Sequence, residues 1–333
     1  MKKYKALVCE TLTADLSGVS LKELELPEIL SDQLLIKVKA ASVNFPDLLM
    51  TQGKYQHKPE LPFVLGMEGA GIVEEIGSEV SKFKEGDEVT FGSWGNGAFS
   101  DYVVVPEDGP QLKSKSLNFE EAASFQTAYL TAYVSLVRRG DLVKGENLLV
   151  HGATGGVGMA AVQLGQKIGA NVIATGTSED KLKNTLDWGA SHYLLTHKEN
   201  NVSFREEVKE LTEGKGADVI YDPVGGDVFD ESIRCINWGG RILIVGFTSG
   251  RIPTAAVNMP LIKGFSIVGV RAGEFGRRDP VKGKENIEAV KKLADEGHLK
   301  PHICQTFKLE EAKDAIKFLS ERKLVGKIAV VME

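Results

Sequence analysis

Long hydrophobic runs are missing from this chain. No stretch approaches the roughly 20 consecutive apolar residues that a membrane-crossing helix requires, so no such span is expected. Cysteine is scarce: Cys9, Cys235 and Cys304 stand far apart, which gives neither a disulfide framework nor the close spacing of a zinc site. They read as small core residues in a protein of the reducing cytoplasm. Positive charge is not in excess either. The formal net charge is −6, and the electrostatic footprint of a nucleic-acid or anionic-membrane binder is lacking. The start, Met1-Lys2-Lys3-Tyr4-Lys5, is basic, but the apolar segment behind it is short and broken by Cys9-Glu10, which is not a secretory signal. There are no internal repeats and no low-complexity tracts.

What the 333 residues do contain falls into two textures. The first part, to about residue 125, is rich in short strands and turns. Residues 34–40 alternate apolar and polar, as a half-buried strand does, and 69–76 and 88–90 also read as strands. Turns are expected at 85–87 and 92–97. From about 126 the pattern becomes strand, helix, strand, helix. Strands are expected at 147–151, 171–175, 192–195, 217–222, 240–246 and 264–270, with helices at 156–169, 178–188, 204–212 and 227–237. Such alternation predicts a doubly wound parallel sheet with helices on both faces. A helix at 284–296, a strand near 302–307, a helix at 309–322 and a strand at 327–331 follow. That tail is too short for a domain of its own and is expected to return to the first. The expected division is therefore 1–125, 126–270 and 271–333, the last part rejoining the first.

The most informative segment is Asn147-Leu148-Leu149-Val150-His151-Gly152-Ala153-Thr154-Gly155-Gly156-Val157-Gly158. An apolar strand runs into a turn of small residues and then into an apolar helix. Ala153, Gly155 and Gly158 fill the three small-residue positions of a dinucleotide-binding turn, with alanine in the first. Small residues let the backbone approach a pyrophosphate, and the helix start offers N–H groups and the positive end of its dipole. The predicted coenzyme site includes Ala153, Thr154, Gly155, Gly156, Val157 and Gly158.

The tip of the second strand discriminates between coenzymes. An NAD site usually carries a carboxylate there for the ribose 2′-hydroxyl. This chain has Gly176-Thr177-Ser178, and Glu179 and Asp180 follow only in the first turn of the next helix. Thr177, Ser178 and Lys181 compose a pocket for a 2′-phosphate, which predicts NADPH. The same residues also allow Ser178 to be a helix cap and Lys181 a solvated side chain.

Several stretches occur together in a recognisable order: Ala41-Ser42-Val43-Asn44-Phe45-Pro46-Asp47, PFVLGMEGAG at 62–71, VSKFKEGDEV at 80–89, AASFQTAYLTAY at 122–133, the glycine turn, Asp222-Pro223-Val224-Gly225-Gly226, and GGRILIVGF at 239–247. Over nearly its whole length the chain resembles the medium-chain dehydrogenase/reductase superfamily, and within it the zinc-free quinone oxidoreductase branch related to zeta-crystallin. That resemblance implies an α/β fold: a Rossmann domain plus a partly open, GroES-like β-barrel domain built from both chain ends, with the coenzyme in the cleft between them. It implies Asn44 and Thr131 beside the nicotinamide, and Asp47 and Tyr55 at the substrate mouth. It implies Gly246, Phe247 and Thr248 near the ribose and nicotinamide, Val270 and Arg271 at the carboxamide, and Lys181 and Arg322 on the 2′-phosphate. One position departs: some relatives flank the 2′-phosphate with a tyrosine after the third strand, where this chain has Thr196 followed by His197. The resemblance also implies a homodimer through the edge strand 264–270.

Zinc enzymes of this superfamily place a cysteine near the position of Asn44 and Gly-His-Glu where this chain has Gly66-Met67-Glu68. His57 and Glu68 alone are too few for a catalytic zinc, and no metal is expected. Without a Lewis acid, the acceptor must delocalise its own incoming charge, which points to quinones or α,β-unsaturated carbonyls. Tyr55 is a candidate proton donor, or else a packing residue against the substrate. An enoyl-CoA reductase is the alternative, with Arg271, Arg277 and Arg278 either holding the coenzyme A phosphates or lying in a solvated loop. The non-enzymatic alternative, a coenzyme-retaining structural or RNA-binding protein, sits poorly with the acidic net charge.

Overall fold

The structure, a computed structural model, describes residues 3–92, 97–198 and 201–333. Most of the turn expected at 92–97 lies outside the described residues. The chain forms two compact units, one of Met1–Thr127 with Lys300–Glu333 and the other of Ala128–Leu299.

The first unit is built on a mixed sheet. Its strands run in the order Ile303–Lys308, Lys327–Val331, Gln33–Ser42, Glu68–Ile76, Glu88–Gly92 and Gln111–Leu112, and Tyr102–Pro106 also pairs with Gln33–Ser42. A smaller sheet joins Val19–Glu25, Lys3–Cys9 and Phe63–Val64. The alternating Leu34, Ile36 and Val38 enter one buried core together with Ile328 and Val330 of the tail. The tail strand pairs antiparallel with Gln33–Ser42 in the register Ala329 to Ser42 and Val330 to Ala41. Burying these side chains is what returns the C-terminal segment to this unit.

In the second unit the strands run His192–Leu195, Asn171–Gly176, Asn147–Val150, Ala217–Asp222, Ile236–Ile244 and Ser266–Gly269, all parallel. This is the doubly wound order, with its reversal between Asn147–Val150 and Ala217–Asp222. Leu148, Leu149 and Val150 are fully buried, as a strand covered on both faces requires. The helix Gly156–Ile168 packs after the first of these strands and ends at Gly169, whose φ of 92° only glycine adopts without strain.

The structure differs from expectation in a few places. The division falls at residue 300 rather than 271. Residues 271–299 stay with the second unit because the helix Pro280–Asp295 buries Asn286, Val290 and Ala294. Arg138 also fastens that helix, from Nε to Asn286 Oδ1 at 2.8 Å and from a terminal nitrogen to Glu285 at 2.8 Å. The helix expected at 178–188 is two short ones, Glu179–Leu182 and Asn184–Asp187. A helix Ala272–Arg278 occupies what reads in sequence as a loop. Cys9 and Cys235 are buried as expected, but Cys304 is exposed, because its strand is the outermost of its sheet. Among the described residues no helix is long and apolar enough to cross a membrane.

Candidate functional site

In the first unit, three strand ends bring four polar side chains together. Asn44 follows the strand Gln33–Ser42, Glu68 opens Glu68–Ile76, and Lys327 opens Lys327–Val331. Both neighbours run antiparallel to the central strand, with Ala41 opposite Gly69 and Ser42 opposite Ala329. Their first residues therefore converge on its last. Asn44 then opens the helix Phe45–Thr51, and Asp47, three residues on, accepts from the Asn44 backbone N–H at 2.7 Å. This is the reciprocal half of a capping box.

The four groups are buried: Asp47 is 0 % exposed, Glu68 2 %, Lys327 6 % and Asn44 8 %. Lys327 Nζ donates to Asn44 Oδ1 at 2.6 Å and lies 3.7 Å from Glu68 Oε1. Asn44 Nδ2 donates to Glu68 Oε1 at 2.9 Å, with the Ser42 carbonyl at 3.4 Å. The other Glu68 oxygen accepts from the Thr127 amide at 2.8 Å, in the first turn of the helix Gln126–Tyr133. Burial pushes the Asp47 carboxyl up to about 7, against the pull of the Asn44 and Gly66 amides and of Lys327. Burial likewise lowers Lys327, opposed by Glu68 and Asp47. A lone buried ammonium would be costly; here a carboxylate and a carboxamide oxygen share it.

In the second unit, the glycine turn has the geometry of an anion cradle. The amides of Gly156, Val157 and Gly158 have no hydrogen-bond partner among the described residues. No acidic residue occupies the first turn of the helix. A Cβ on Gly158 would sit 2.2 Å from the Gly152 carbonyl oxygen and 2.7 Å from Ala153 Cα, so only glycine fits there. The buried His151 before the turn is held by Thr175 and Ser232, each at 2.7 Å. Ser232 Oγ donates to the Val228 carbonyl, so it accepts from His151 Nε2–H and Thr175 donates to Nδ1. Both nitrogens are committed, and burial pushes the imidazole down to about 3. His151 is a structural residue, not a base.

Other predicted coenzyme residues gather at the same C-terminal edge of the parallel sheet. Gly246, Phe247 and Thr248 follow Ile236–Ile244 and fold over the loop at the end of Ala217–Asp222, with the Thr248 amide and hydroxyl both on the Pro223 carbonyl at 3.1 Å. That loop is shaped by Asp222, whose Oδ1 accepts from the Val224 and Gly225 amides, each at 2.8 Å. Burial pushes the Asp222 carboxyl up to about 6. Val270 donates to the Ile244 carbonyl at 2.9 Å, and Arg271 stands at the start of Ala272–Arg278. Thr177 and Ser178 follow Asn171–Gly176; Ser178 precedes Glu179–Leu182, but its side chain makes no capping bond. Lys181 lies on that short helix. Thr196 is buried against Gly176, its hydroxyl donating to that carbonyl at 3.2 Å.

The predicted residues thus fall into two sets. Asn44, Asp47, Tyr55 and Arg322 belong to the first unit, and Thr131 with the glycine-turn, Lys181, Gly246–Thr248 and Val270–Arg271 positions belong to the second. One placement differs from expectation. Asp47 does not face a substrate mouth; it is wholly buried because its carboxyl turns back onto the helix start. Tyr55 is half-buried and packs against the first unit's apolar core. Glu68 and Lys327 were not expected as site residues. A lysine opening an otherwise apolar strand is the one sequence signal that could have found them.

The donor set does not fit zinc. Asn44 and Met67 offer no thiolate or imidazole, and the Lys327 ammonium already balances Glu68. Among the described residues no three of histidine, cysteine, aspartate and glutamate are grouped to hold a metal.

Residues 31–114 match the family model described as alcohol dehydrogenase GroES-like domain, and 156–292 that described as zinc-binding dehydrogenase. A quinone oxidoreductase-like protein 2 homolog from Nematostella vectensis is 36 % identical over 331 residues, covering 99 % of this chain and 89 % of that one. A quinone oxidoreductase from Pseudomonas syringae superposes with a TM-score of 0.89 at 28 % identity, covering 99 % of this chain and 100 % of its own. A mycobacterial protein solved as a complex with NADPH superposes with a TM-score of 0.88 at 27 % identity, covering 98 % and 100 %. The first unit is GroES-like and the second is a Rossmann domain. The chain belongs to the medium-chain dehydrogenase/reductase superfamily, in its quinone oxidoreductase branch.

Proposed function

We propose that this oxidoreductase uses NADPH to reduce a conjugated acceptor, a quinone or an α,β-unsaturated carbonyl. One observation carries the reading: three amides at the start of Gly156–Ile168 that have no partner among the described residues, reached through a turn that tolerates only glycine at 158. A diphosphate satisfies those donors and the helix dipole together. The NADPH-bound relative supports the choice of a nicotinamide coenzyme. Ser178, with no capping role, and Lys181 would hold the 2′-phosphate.

When bound, the coenzyme supplies a hydride. The protein's task is to hold the ring, exclude water and tolerate the charge that develops on the acceptor. Asn44 is engaged within the polar cluster: its N–H groups face Glu68 and Ser42, and its Oδ1 takes Lys327. Tyr55 remains the candidate proton donor on the substrate side.

Arg271, Arg277 and Arg278 converge on Glu274, at 3.9, 3.0 and 2.9 Å. Their shared carboxylate favours quinone or enone over a coenzyme A thioester. A homodimer through Ser266–Gly269 is part of the proposal. That strand is the sheet edge, and Ile267 on it and Trp238, Leu261 and Ile262 in neighbouring elements are exposed.

The test is oxidation of NADPH and NADH across a panel of benzoquinones, enones and enoyl thioesters. The proposal expects turnover with NADPH on quinones or enones. Turnover confined to enoyl thioesters would establish the alternative, and no turnover with any acceptor would remove the enzymatic reading.

A further inference from the structure

We infer that His151 is a positioning residue: with Thr175 and Ser232 it fixes the place of the glycine turn for the coenzyme, and it serves that placement more than stability. The inference rests on the reading that this turn takes the coenzyme diphosphate. It concerns residues of the second unit alone.

A turn with glycine at 152, 155, 156 and 158 has few side chains with which to hold itself in place. Its course is set by anchors on either side of Gly152, whose φ is 57°. Before that glycine, the His151 amide donates to the Tyr221 carbonyl of Ala217–Asp222 at 3.0 Å, and His151 Nδ1 accepts from the Thr175 hydroxyl at 2.7 Å. After it, the Ala153 amide donates to the Thr175 carbonyl at 3.0 Å. One residue of Asn171–Gly176 therefore grips the chain on both sides of Gly152, once by its side chain and once by its backbone. His151 Nε2 carries the hold to a third element, the helix Gly226–Cys235, through Ser232 at 2.7 Å. All three side chains are fully buried.

Stability alone does not call for an imidazole here. The ring lies 5.2 Å from that of Phe204, which shares an apolar cluster with Leu149, Ile173 and Val228. Leucine would fill such a place with no polar atom to desolvate. The imidazole gives up water for two directed bonds, whose net worth on folding is small but whose geometry is specific. Burial keeps the ring neutral, so the hold does not change over the ordinary pH range.

Isothermal titration with NADPH, beside urea unfolding of the same proteins, tests this without relying on turnover. His151→Leu with Thr175→Val removes both bonded groups together, and Ser232 still donates to the Val228 carbonyl. Removing both partners at once is close to neutral for folding. The double variant is therefore expected to unfold near the wild-type midpoint while binding NADPH roughly tenfold more weakly. Thr175→Val alone should bind about as weakly as the double variant, because the two residues act as one unit. Thr175→Ser keeps the hydroxyl and should bind as the wild type does. If the wild type takes up no NADPH, the reading of the turn fails. If the wild type binds and the folded double variant binds equally well, that reading stands and the positioning role is overturned. Weak binding that comes only with a sharp fall in the unfolding midpoint shows a general structural role and overturns it too. Should the double variant not fold, Thr175→Ser and Thr175→Val decide: weaker binding by Thr175→Val alone supports the inference, and equal binding overturns it.

Discussion

Lys327 Nζ donates to Asn44 Oδ1 across 2.6 Å, although 283 residues separate the two in sequence. The bond exists because the last strand of the chain pairs with Gln33–Ser42 and delivers its first residue to the end of that strand. It ties the C-terminal segment to the polar centre of the first unit.

Removing one partner of this buried group should be expensive. Lys327→Met leaves Glu68 charged and without its ammonium, and a loss of about 3–5 kcal/mol in unfolding free energy is expected. Pairing it with Glu68→Gln removes the stranded charge and should restore a good part of that. Urea denaturation of the two variants checks the difference; equal stability would show that the pair is not electrostatically coupled.

Much of this architecture was legible in the sequence. Buried parallel strands show as apolar runs such as Leu148-Leu149-Val150, and the tail strand 327–331 was expected where it stands. The turn chemistry at Gly155 and Gly158 is local, so spacing alone identifies it. The polar cluster is not local. Glu68 lies 24 residues from Asn44, and only strand register joins them. The placement of Asp47 is not legible for a related reason: a carboxylate near a helix start can face outward or cap that start, and the sequence does not distinguish the two. The boundary at 300 depends on Arg138 reaching Asn286 and Glu285, a side-chain link that no periodicity encodes.

The Asp47 carboxyl gives a pH dependence of known sign. Its acid form is favoured by folding, with the value raised from 3.8 to about 7 chiefly by burial. A group raised on folding contributes stability that is complete below its unfolded value and lost as pH rises through the folded one. Glu68 and Lys327 share its surroundings and remain in both proteins compared. Asp47→Asn should therefore gain on the wild type by on the order of 4 kcal/mol between about pH 4 and about pH 8. Melting curves at several pH values test this; a difference that does not grow with pH contradicts it.

Gly158→Ala addresses the coenzyme turn. The added methyl meets backbone atoms of Gly152 and Ala153, which have no side-chain freedom with which to yield. A loss of about 1–3 kcal/mol in stability, with much weaker coenzyme binding, is expected. Gly273→Ala is a useful control, because Gly273 likewise lies in a helix without a positive φ, but a Cβ there meets nothing within 4 Å. If Gly158→Ala binds NADPH like the wild type, the turn is not the diphosphate cradle.

The edge strand Ser266–Gly269 predicts the oligomeric state. Light scattering at micromolar concentration should give twice the 36.1 kDa chain mass. Ile267→Lys, a charge on the exposed edge, should shift the protein toward monomer. A wild-type monomer would refute the proposed interface.

Calorimetric titration with NADPH and NADH is the most direct measurement of the whole account. It predicts saturable binding of NADPH at the Rossmann unit, roughly tenfold or more tighter than NADH, with Lys181→Ala narrowing that gap. Correctly folded protein that takes up neither coenzyme would contradict it.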